Sequence, residues 1–296
     1  MKFSPLEYEE PVFRPPSEAN SLIFQVTIGC SWNKCAFCEM YTSKVFRIKK
    51  EEEIEKEIYT ASQLFPDKRK FFLCDGNAMV LSFSKLLKIL EKINRVFKKV
   101  QRISVYALPG DVFSKSEEEL KILREAGLSL IYVGIESGDD QILKMINKNE
   151  TYDSTVSGLK KAREAGIKTS VMILNGLGGK KYYKQHAINS ARLVNQVQPE
   201  YLSTLVLSFP FGESQYRNRF DGTYIPMSIV DLLKEMEVFV KHMDLESTIF
   251  RSDHASNYLV LRGILSRDKE QFLSGIRSAI QDPDIAGLRQ EWQRGL

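Results

Sequence analysis

Apolar, β-branched runs alternate with amphipathic segments along this chain through residue 210. Helical patterns separate these runs, and glycine follows two of the helices, at Gly127 and Gly166, where it relieves the left-handed strain of a helix C-cap. Such alternation predicts parallel strands joined by right-handed crossovers. The predicted strands are 22–28, 71–74, 103–107, 130–135, 169–174 and 201–207. The predicted helices are 51–65, 83–100, 116–126, 139–146 with 153–165, and 181–197.

Polar turns rich in glycine follow four of the predicted strands. A loop with three cysteines follows the first strand, Asp75-Gly76-Asn77 the second, Glu136-Ser137-Gly138 the fourth and Asn175-Gly176 the fifth. An open doubly wound sheet and a full or partial barrel both place the carboxyl ends of their strands at one edge, so these turns are predicted to gather there. Glycine lets a ligand approach the backbone closely, which predicts a ligand larger than a metal alone.

The three cysteines, Cys30, Cys35 and Cys38, lie within nine residues. Three thiolates from one loop can hold three irons of a 4Fe-4S cluster and leave the fourth iron open. An electron carrier instead fills that corner with another cysteine. Cysteines this close in sequence are poorly placed for ordinary disulfides, which favours a metal site in a reducing compartment.

The cysteines also suggest two other interpretations, a zinc site and a closed cluster. Zinc usually takes four protein ligands, whereas His186, His242 and His254 are all distant from the loop in sequence. Cys74 could complete a closed cluster, although its place at the end of an apolar strand is more typical of a core cysteine. The sequence therefore favours an open cluster, with Cys74 in the core.

Composition and charge narrow the class of protein. The chain has 296 residues, of which 43% are hydrophobic, enough for a large core. We find no apolar run near the ~20 residues that span a bilayer, and the N-terminus lacks the apolar segment of a secretory signal, so we expect a cytoplasmic protein without membrane contact. The net charge of +4 is too small to predict a nucleic-acid surface.

The cysteine loop and the glycine-rich turns after the predicted strands together resemble those of the radical S-adenosylmethionine (SAM) superfamily. The resemblance covers roughly residues 20 to 210. The resemblance rests on the cysteine loop, on Tyr132-Val133-Gly134-Ile135-Glu136-Ser137-Gly138 and on Asn147-Lys148-Asn149-Glu150-Thr151. Most members have three residues between the first two cysteines, whereas this chain has four between Cys30 and Cys35. Within the superfamily it is most similar to the coproporphyrinogen dehydrogenase and oxidative cyclase branch.

The resemblance implies the fold. It favours an α/β fold built as a partial parallel (β/α)6 TIM-like barrel, with a core domain over residues 1–210. A helical C-terminal extension over 211–296 is expected to pack on this core. In the extension, helical patterns cover 228–243, 268–281 and 284–294, and another helix is expected to begin near Tyr258.

The resemblance also implies cofactors and the residues that bind them. Cys30, Cys35 and Cys38 would ligate a 4Fe-4S cluster whose open iron is chelated by SAM. Phe37 would lie near the adenine, and Asn175 begins a turn that resembles a cofactor-binding turn of the branch. Other implied SAM contacts are Asp75, Gly76 and Asn77, with Asp75 or Asn77 as the polar group, and Glu136 and Arg163.

The implied activity is reductive cleavage of SAM, which gives a 5'-deoxyadenosyl radical for the modification of an unidentified small molecule. Such an enzyme needs an electron donor, for which flavodoxin or ferredoxin is expected. Two non-catalytic alternatives are compatible with the same residues, namely an iron-sulfur protein that traffics heme and an iron-sulfur regulator.

A polar segment near the C-terminus is the remaining candidate for chemistry. Arg251, His254 and Asn257 lie in it, flanked by apolar residues. They could reach substrate or cluster as catalytic residues, or the segment could be a capped loop, since a lone histidine is more often structural.

Overall fold

The fold is that of a computed structural model, which describes residues 6–209 and 212–294. The chain divides into two compact units. The first comprises residues up to 33, 38–133 and 157–169, and the second comprises 34–37, 134–156 and the residues from 170 onward. The predicted domain boundary between residues 210 and 211 falls on two residues outside the described ranges, so it stays a prediction.

Parallel strands form the centre of the first unit. Strands β1, β4, β5 and β6 pair in parallel in that order, and β2 pairs with β3 as a short antiparallel ribbon. All the turns that follow the parallel strands of this unit therefore lie at one edge. The strands are β1 (Leu22–Gln25), β2 (Thr27–Ile28), β3 (Arg47–Ile48), β4 (Lys70–Cys74), β5 (Arg102–Ala107) and β6 (Leu128–Glu136), the last of which ends in the second unit.

Helices α1 to α4 connect these strands. At the start of α4, Ser116 and Glu119 form a capping box, which satisfies two backbone amides that the first turn leaves unpaired. Gly127 follows the end of α4 with a φ of +101°, as its position in the sequence predicts. The helices are α1 (Glu51–Leu64), α2 (Phe83–Val96), α3 (Pro109–Phe113) and α4 (Glu117–Glu125).

The two faces of β4 are both apolar but pack differently. Phe71 packs against Phe97 at the end of α2, with ring centroids 4.6 Å apart. Phe72 lies on the opposite face, where its ring contacts Tyr106 and Tyr132 edge-on at 5.0 and 6.0 Å. Cys74 is buried in the same cluster as Phe72, which confirms the core position predicted for it.

The second unit contains a further set of parallel strands. Strands β7, β8 and β9 pair in parallel, and β10 pairs with β9 antiparallel. The strands are β7 (Lys168–Asn175), which begins in the first unit, β8 (Tyr201–Val206), β9 (Ile249–Ser252) and β10 (Leu261–Ile264). The helices are α5 (Asp140–Met145), α6 (Tyr152–Glu164), whose last turns belong to the first unit, α7 (Gly179–Val197), α8 (Glu213–Arg219), α9 (Ile229–His242) and α10 (Leu265–Gln281).

The C-terminal region differs in detail from the prediction. The helix expected near Tyr258 is wrong, because the chain there forms the β9–β10 pair and α10 begins only at Leu265. The helix expected over 284–294 is also wrong, since its only helical residues are a 3-10 turn at Glu291–Gln293. Pro283 and a left-handed Gly287, with a φ of +64°, end the helical path there.

The predicted class is confirmed, because helices and mostly parallel strands alternate in both units and a helical region follows toward the C-terminus. The six predicted strands all appear, with the first divided into β1 and β2 at Val26. Within the described residues, no helix has both the length and the apolar character to cross a membrane.

Candidate functional site

Four cysteines occupy two different environments. Cys30, Cys35 and Cys38 are half-buried thiols, whereas Cys74 is fully buried, and none of the four is part of a disulfide. Cys30 and Cys38 belong to the first compact unit and Cys35 to the second. No three side chains of Cys, His, Asp or Glu within residues 6–209 and 212–294 are grouped as a site for a single metal ion. Burial raises the pKa of the Cys74 thiol well above its ordinary value, which disfavours the thiolate that a metal needs.

The cysteine loop begins with a close backbone contact in the first unit. Gly29 has a φ of +70°, and its amide donates to Oδ2 of Asp75 at 3.0 Å. Its carbonyl accepts from the amide of Gly76 at 3.1 Å. A Cβ atom on Gly76 would lie 2.9 Å from Cβ of Cys30 and 2.7 Å from the ring of Tyr41, so only glycine fits. The turn after β4 is therefore packed directly against the first cysteine.

A buried ion pair holds this turn. The ammonium of Lys44 lies 2.7 Å from Oδ2 of Asp75, and their side chains are 2% and 0% exposed. Lys44 also donates to the carbonyls of Glu9 and Pro11, at 2.6 and 2.7 Å, so its three donors have three acceptors. A carboxylate buried this deeply needs such a partner. Oδ2 of Asp75 is thus occupied by contacts within the protein.

The second oxygen of Asp75 is different. Oδ1 and the hydroxyl of Tyr41 are both buried, and neither makes a well-aligned hydrogen bond among the described residues. The two side chains are nonetheless neighbours, because burial, the Asp75 charge and a side-chain hydrogen bond with Asp75 raise the pKa of Tyr41. Asp75 is therefore engaged by Tyr41 as well as by Lys44. Whether Asp75 contacts SAM stays a prediction.

Asn77 ties the turn to neighbouring segments. Its Nδ2 donates to Oγ of Ser31 at 2.8 Å and to Oδ2 of Asp111, and its Oδ1 accepts from the amide of Leu108 at 3.3 Å. The side chain is fully buried. Asn77 therefore joins the cysteine loop to the segment after β5, and a contact with SAM stays a prediction. Sequence reasoning missed Asp111, which comes shortly after the carboxyl end of β5.

In the second unit, the middle cysteine is held by the end of α5. The carbonyl of Lys34 accepts from Nδ2 of Asn147 at 3.1 Å, and the amide of Ala36 donates to the carbonyl of Ile146 at 2.8 Å. These two residues flank Cys35. Phe37 packs on an apolar cluster, which includes Ala36, Ile142, Leu143, Ile146, Leu174 and Leu177.

Glu136 ends β6 in a left-handed conformation, with a φ of +66°. Its Oε1 lies 3.5 Å from the ammonium of Lys148, and its Oε2 is buried without a partner in the described part of the chain. A Cβ atom on Gly134 would lie 2.1 Å from Oε1, so glycine at this position makes room for the carboxylate. Burial raises the pKa of Glu136, and Lys148 opposes that shift. Sequence reasoning quoted Lys148 within a motif but assigned it no role.

Asn175 is directed toward α9. Its Nδ2 lies 4.0 Å from Sδ of Met236, which is a weak contact. The residue lines a cavity of about 20 Å³, with room for about one water, together with Ser252 and Asn257. The side chain therefore faces the helical layer of this unit, and its predicted contact with SAM stays a prediction.

Two buried titratable groups in this unit, His186 and Glu235, form a contact that was not predicted from the sequence. Oε2 of Glu235 accepts from the amide of Gly176 at 2.6 Å, and Oε1 lies 3.7 Å from Nε2 of His186. Burial raises the pKa of Glu235 to about 8 and lowers that of His186 to about 4. Both groups are thus neutral near pH 7, and their contact is not an ion pair. The sequence offered no signal for it, because the two residues are far apart along the chain.

The structure does not bring Arg163 to the carboxyl end of a strand. It is exposed in the last turn of α6, ahead of β7 at Lys168, which is the amino end of that strand. Active sites of α/β folds lie at the opposite end. Its predicted contact with the SAM carboxylate has no support from this position and stays a prediction.

The three C-terminal candidates have structural partners. Arg251 is exposed on β9, and its guanidinium donates to the carbonyl of Phe250 at 3.3 Å. Nδ1 of His254 accepts from the amide of Ser256 at 3.2 Å, and Nδ2 of Asn257 donates to the carbonyl of Thr204 at 2.8 Å. Arg289 donates to the carbonyls of both His254 and Asn257, at 2.5 and 3.2 Å. These contacts favour the loop interpretation, and a catalytic role stays a prediction.

Comparison with known proteins places most of the parallel-strand region in one family. The family model described as the radical SAM superfamily matches residues 24–193. The heme chaperone HemW of Bacillus subtilis (strain 168) is 31% identical over 143 residues, which cover 48% of this chain and 37% of HemW. A putative methylthiotransferase, MJ0865 of Methanocaldococcus jannaschii, is 25% identical over 150 residues, which cover 48% of this chain and 32% of that protein. This chain therefore aligns with only about a third of the length of each relative.

The fold resembles a solved structure as well. Coproporphyrinogen III oxidase (HemN) from Escherichia coli, described as a radical SAM enzyme, superposes with a TM-score of 0.58 at 18% identity. The superposition covers 75% of this chain and 52% of that protein. At this identity the likeness shows the fold alone, and it agrees with the predicted partial TIM-like barrel.

Proposed function

The chain belongs to the radical SAM superfamily, and we propose that it cleaves SAM reductively at a 4Fe-4S cluster held by Cys30, Cys35 and Cys38. The two cofactors are those of the family. The observation that carries the proposal is the cysteine loop, because it offers three half-buried thiols while the fourth cysteine of the chain is in the core. Three thiolates leave one iron for a ligand from outside the protein.

A 4Fe-4S cluster held by Cys30, Cys35 and Cys38 would supply, in its reduced form, the one electron that reductive cleavage of SAM requires. The protein binds and orients SAM and excludes water from the site. Gly76 lets the turn after β4 approach Cys30 without a clash. Phe37 lies between Cys35 and Cys38 in the sequence, and its half-buried ring packs on the apolar cluster of the second unit. We propose that this ring contacts the adenine of SAM.

The residues present fit SAM in the chemistry of their donors. Glu136 offers a buried oxygen, Oε2, that no described residue satisfies, and a ribose hydroxyl or an ammonium would satisfy it. Lys148 neutralises the other oxygen of the same carboxylate.

The substrate proposed for the radical is a small molecule, and the proposed electron donor is flavodoxin or ferredoxin. Members of the family need an external reductant.

Anaerobic reconstitution with iron and sulfide, reduction with dithionite and chromatography of the products test the activity. We expect about three to four irons per chain and release of 5'-deoxyadenosine that depends on SAM and on dithionite. The matched pair is Cys35→Ala against Cys74→Ala: the first should lose both cluster and cleavage, and the second should keep both. If the protein holds an intact cluster but releases no 5'-deoxyadenosine, the proposal that it cleaves SAM is refuted.

A second candidate function is heme trafficking. It is favoured by one observation, the 31% identity to the heme chaperone HemW, although the alignment covers only 37% of that protein. The same reconstituted protein, titrated with heme and followed by its Soret absorbance, separates the two. Stoichiometric heme binding together with absent SAM cleavage would favour the chaperone, and cleavage without heme binding would favour the enzyme.

A further inference from the structure

The two peptide groups that flank Cys35 are both bonded to one short segment. Nδ2 of Asn147 donates to the carbonyl of Lys34, which precedes Cys35, at 3.1 Å. The amide of Ala36, which follows Cys35, donates to the carbonyl of Ile146 at 2.8 Å. The backbone on each side of the middle cysteine is therefore fixed by neighbouring residues at the end of α5.

The segment that makes these bonds is itself well anchored. Asn147 has a φ of +55°, a left-handed conformation that asparagine tolerates better than most residues. Its amide donates to the carbonyl of Lys144 at 3.0 Å, and the amide of Lys148 donates to that of Leu143 at 2.9 Å. Both are the turn-closing bonds of a helix C-terminus. The position of the Asn147 side chain is thus set by the helix.

Apolar packing holds the same region from the other side. Ala36 is buried against Ile142, Leu143 and Ile146 of the α5 region. Buried apolar contacts of this kind resist displacement, because opening them exposes surface to water. Cys35 is therefore a half-buried thiol whose two neighbours are bonded to the end of α5 through their backbone.

The next residue of the segment contacts the carboxylate proposed to face SAM. The ammonium of Lys148 lies 3.5 Å from Oε1 of Glu136, and the two side chains are 7% and 5% exposed. One run of three residues, Ile146 to Lys148, therefore touches both neighbours of Cys35 and the end of β6. All of these contacts lie within the second compact unit.

We propose that the Ile146–Lys148 run is a positioning element that fixes the Cys35 thiolate relative to Glu136, with the Asn147 amide as its key group. This deepens the proposed function and rests on it. Groups that hold a metal ligand in place through hydrogen bonds tune both the affinity and the redox potential of the metal site. Lys34 is the last of the four residues between Cys30 and Cys35, where most members of the superfamily have three. The hydrogen bond from Asn147 therefore also anchors this longer loop.

The variant Asn147→Gly keeps the left-handed backbone accessible and removes the amide donor. Asn147→Asp keeps the shape of the side chain but places a carboxylate oxygen against the Lys34 carbonyl. The matched control is Gln198→Gly, because Gln198 is also left-handed at the end of a helix, with a φ of +49°, and its side-chain amide donates to the carbonyl of Asp244 at 2.9 Å.

Each reconstituted protein is measured for iron per chain, the EPR spectrum of the reduced cluster with and without SAM, its reduction potential, and SAM affinity. We expect Asn147→Gly to shift the EPR spectrum and the potential and to weaken SAM binding about tenfold, and Asn147→Asp to do so more strongly. Gln198→Gly should match the wild type. Loss of iron in Asn147→Gly alone, with an unchanged far-UV circular dichroism spectrum, would also support the positioning role.

Two results would count against the proposal in different ways. A wild-type protein that binds no cluster, or whose spectrum does not respond to SAM, overturns the proposed function itself. A wild type that responds, with both Asn147 variants equal to it in spectrum, potential and SAM affinity, overturns only the positioning role. Equal changes in Asn147→Gly and Gln198→Gly would also refute it, since they would report general loosening.

Discussion

The buried pair of Lys44 and Asp75 gives a sharp test of what holds the turn beside Cys30. At 2.7 Å the Coulomb attraction is ~6 kcal/mol for an effective dielectric of ~20. Desolvation of both charges offsets much of this, so the pair adds little net stability. Removal of one partner leaves the other charge buried and alone, which typically costs ~3–5 kcal/mol.

The variant Lys44→Met should therefore lose ~3–5 kcal/mol in its free energy of unfolding, a large fraction of the ~5–15 kcal/mol of a typical domain. The double variant Lys44→Met with Asp75→Asn should lose less, because no charge remains buried. The side-chain oxygen of Asn can still accept from the amide of Gly29, which donates to Asp75 at 3.0 Å in the wild type.

Urea unfolding of the anaerobically reconstituted proteins, followed by far-UV circular dichroism, gives these free energies. Iron per chain is measured in parallel, so that loss of the cluster is not mistaken for loss of the ion pair. A double variant that is as unstable as Lys44→Met, or less stable, would refute the reasoning, since it would show that charge burial is not the dominant cost.

Three further predictions follow from single contacts. Cys74→Ala should keep a full complement of iron and lose only ~1–2 kcal/mol of stability, as measured by iron analysis and urea unfolding, because its thiol is a core group. Gly134→Ala should keep iron but weaken SAM binding, measured by the SAM-dependent change in the EPR spectrum, because the new Cβ would displace the carboxylate of Glu136; unchanged SAM binding would contradict this. In the folded protein Glu235 has a pKa of about 8, whereas in the unfolded chain its pKa is near 4.5. The free energy of unfolding should therefore fall by at most ~1.4 kcal/mol per pH unit as the pH rises from 6.5 to 8. Urea unfolding across this pH range should show that fall in the wild type and not in Glu235→Gln. Below pH 6.5 the free energy of unfolding has an additional, opposite dependence on pH, because the pKa of His186 is lowered to about 4 in the folded protein.

The pattern of apolar residues was enough to predict the parallel strands. Every predicted strand there lies within two residues of an observed one at its start, because buried parallel strands leave short, uninterrupted apolar runs. Gly127 and Gly166 have the positive φ expected after a helix. These are local signals, which a single sequence contains in full.

The prediction was weaker where distant segments decide the structure. Strands β9 and β10 are four residues each, and their pairing, for example Leu261 with Ser252, has no periodic signature strong enough to separate it from a polar loop. The sequence also gave no reason to connect Lys44 with Asp75, or His186 with Glu235, since each pair is formed by tertiary packing. Nor does the sequence show that Asn175, which follows β7, lies close to Met236 of α9, because that contact also depends on tertiary packing.

The closure around Lys44 has a consequence for chemical labelling. Its three donors are occupied by Asp75 and by the carbonyls of Glu9 and Pro11, and its side chain is 2% exposed. An amine-reactive reagent needs an accessible, deprotonated nitrogen, so Lys44 can be acylated only in molecules whose segment around Glu9 has separated from it. The extent of acylation at this one lysine, measured by mass spectrometry relative to an exposed lysine such as Lys121, would therefore report how often the N-terminal segment opens.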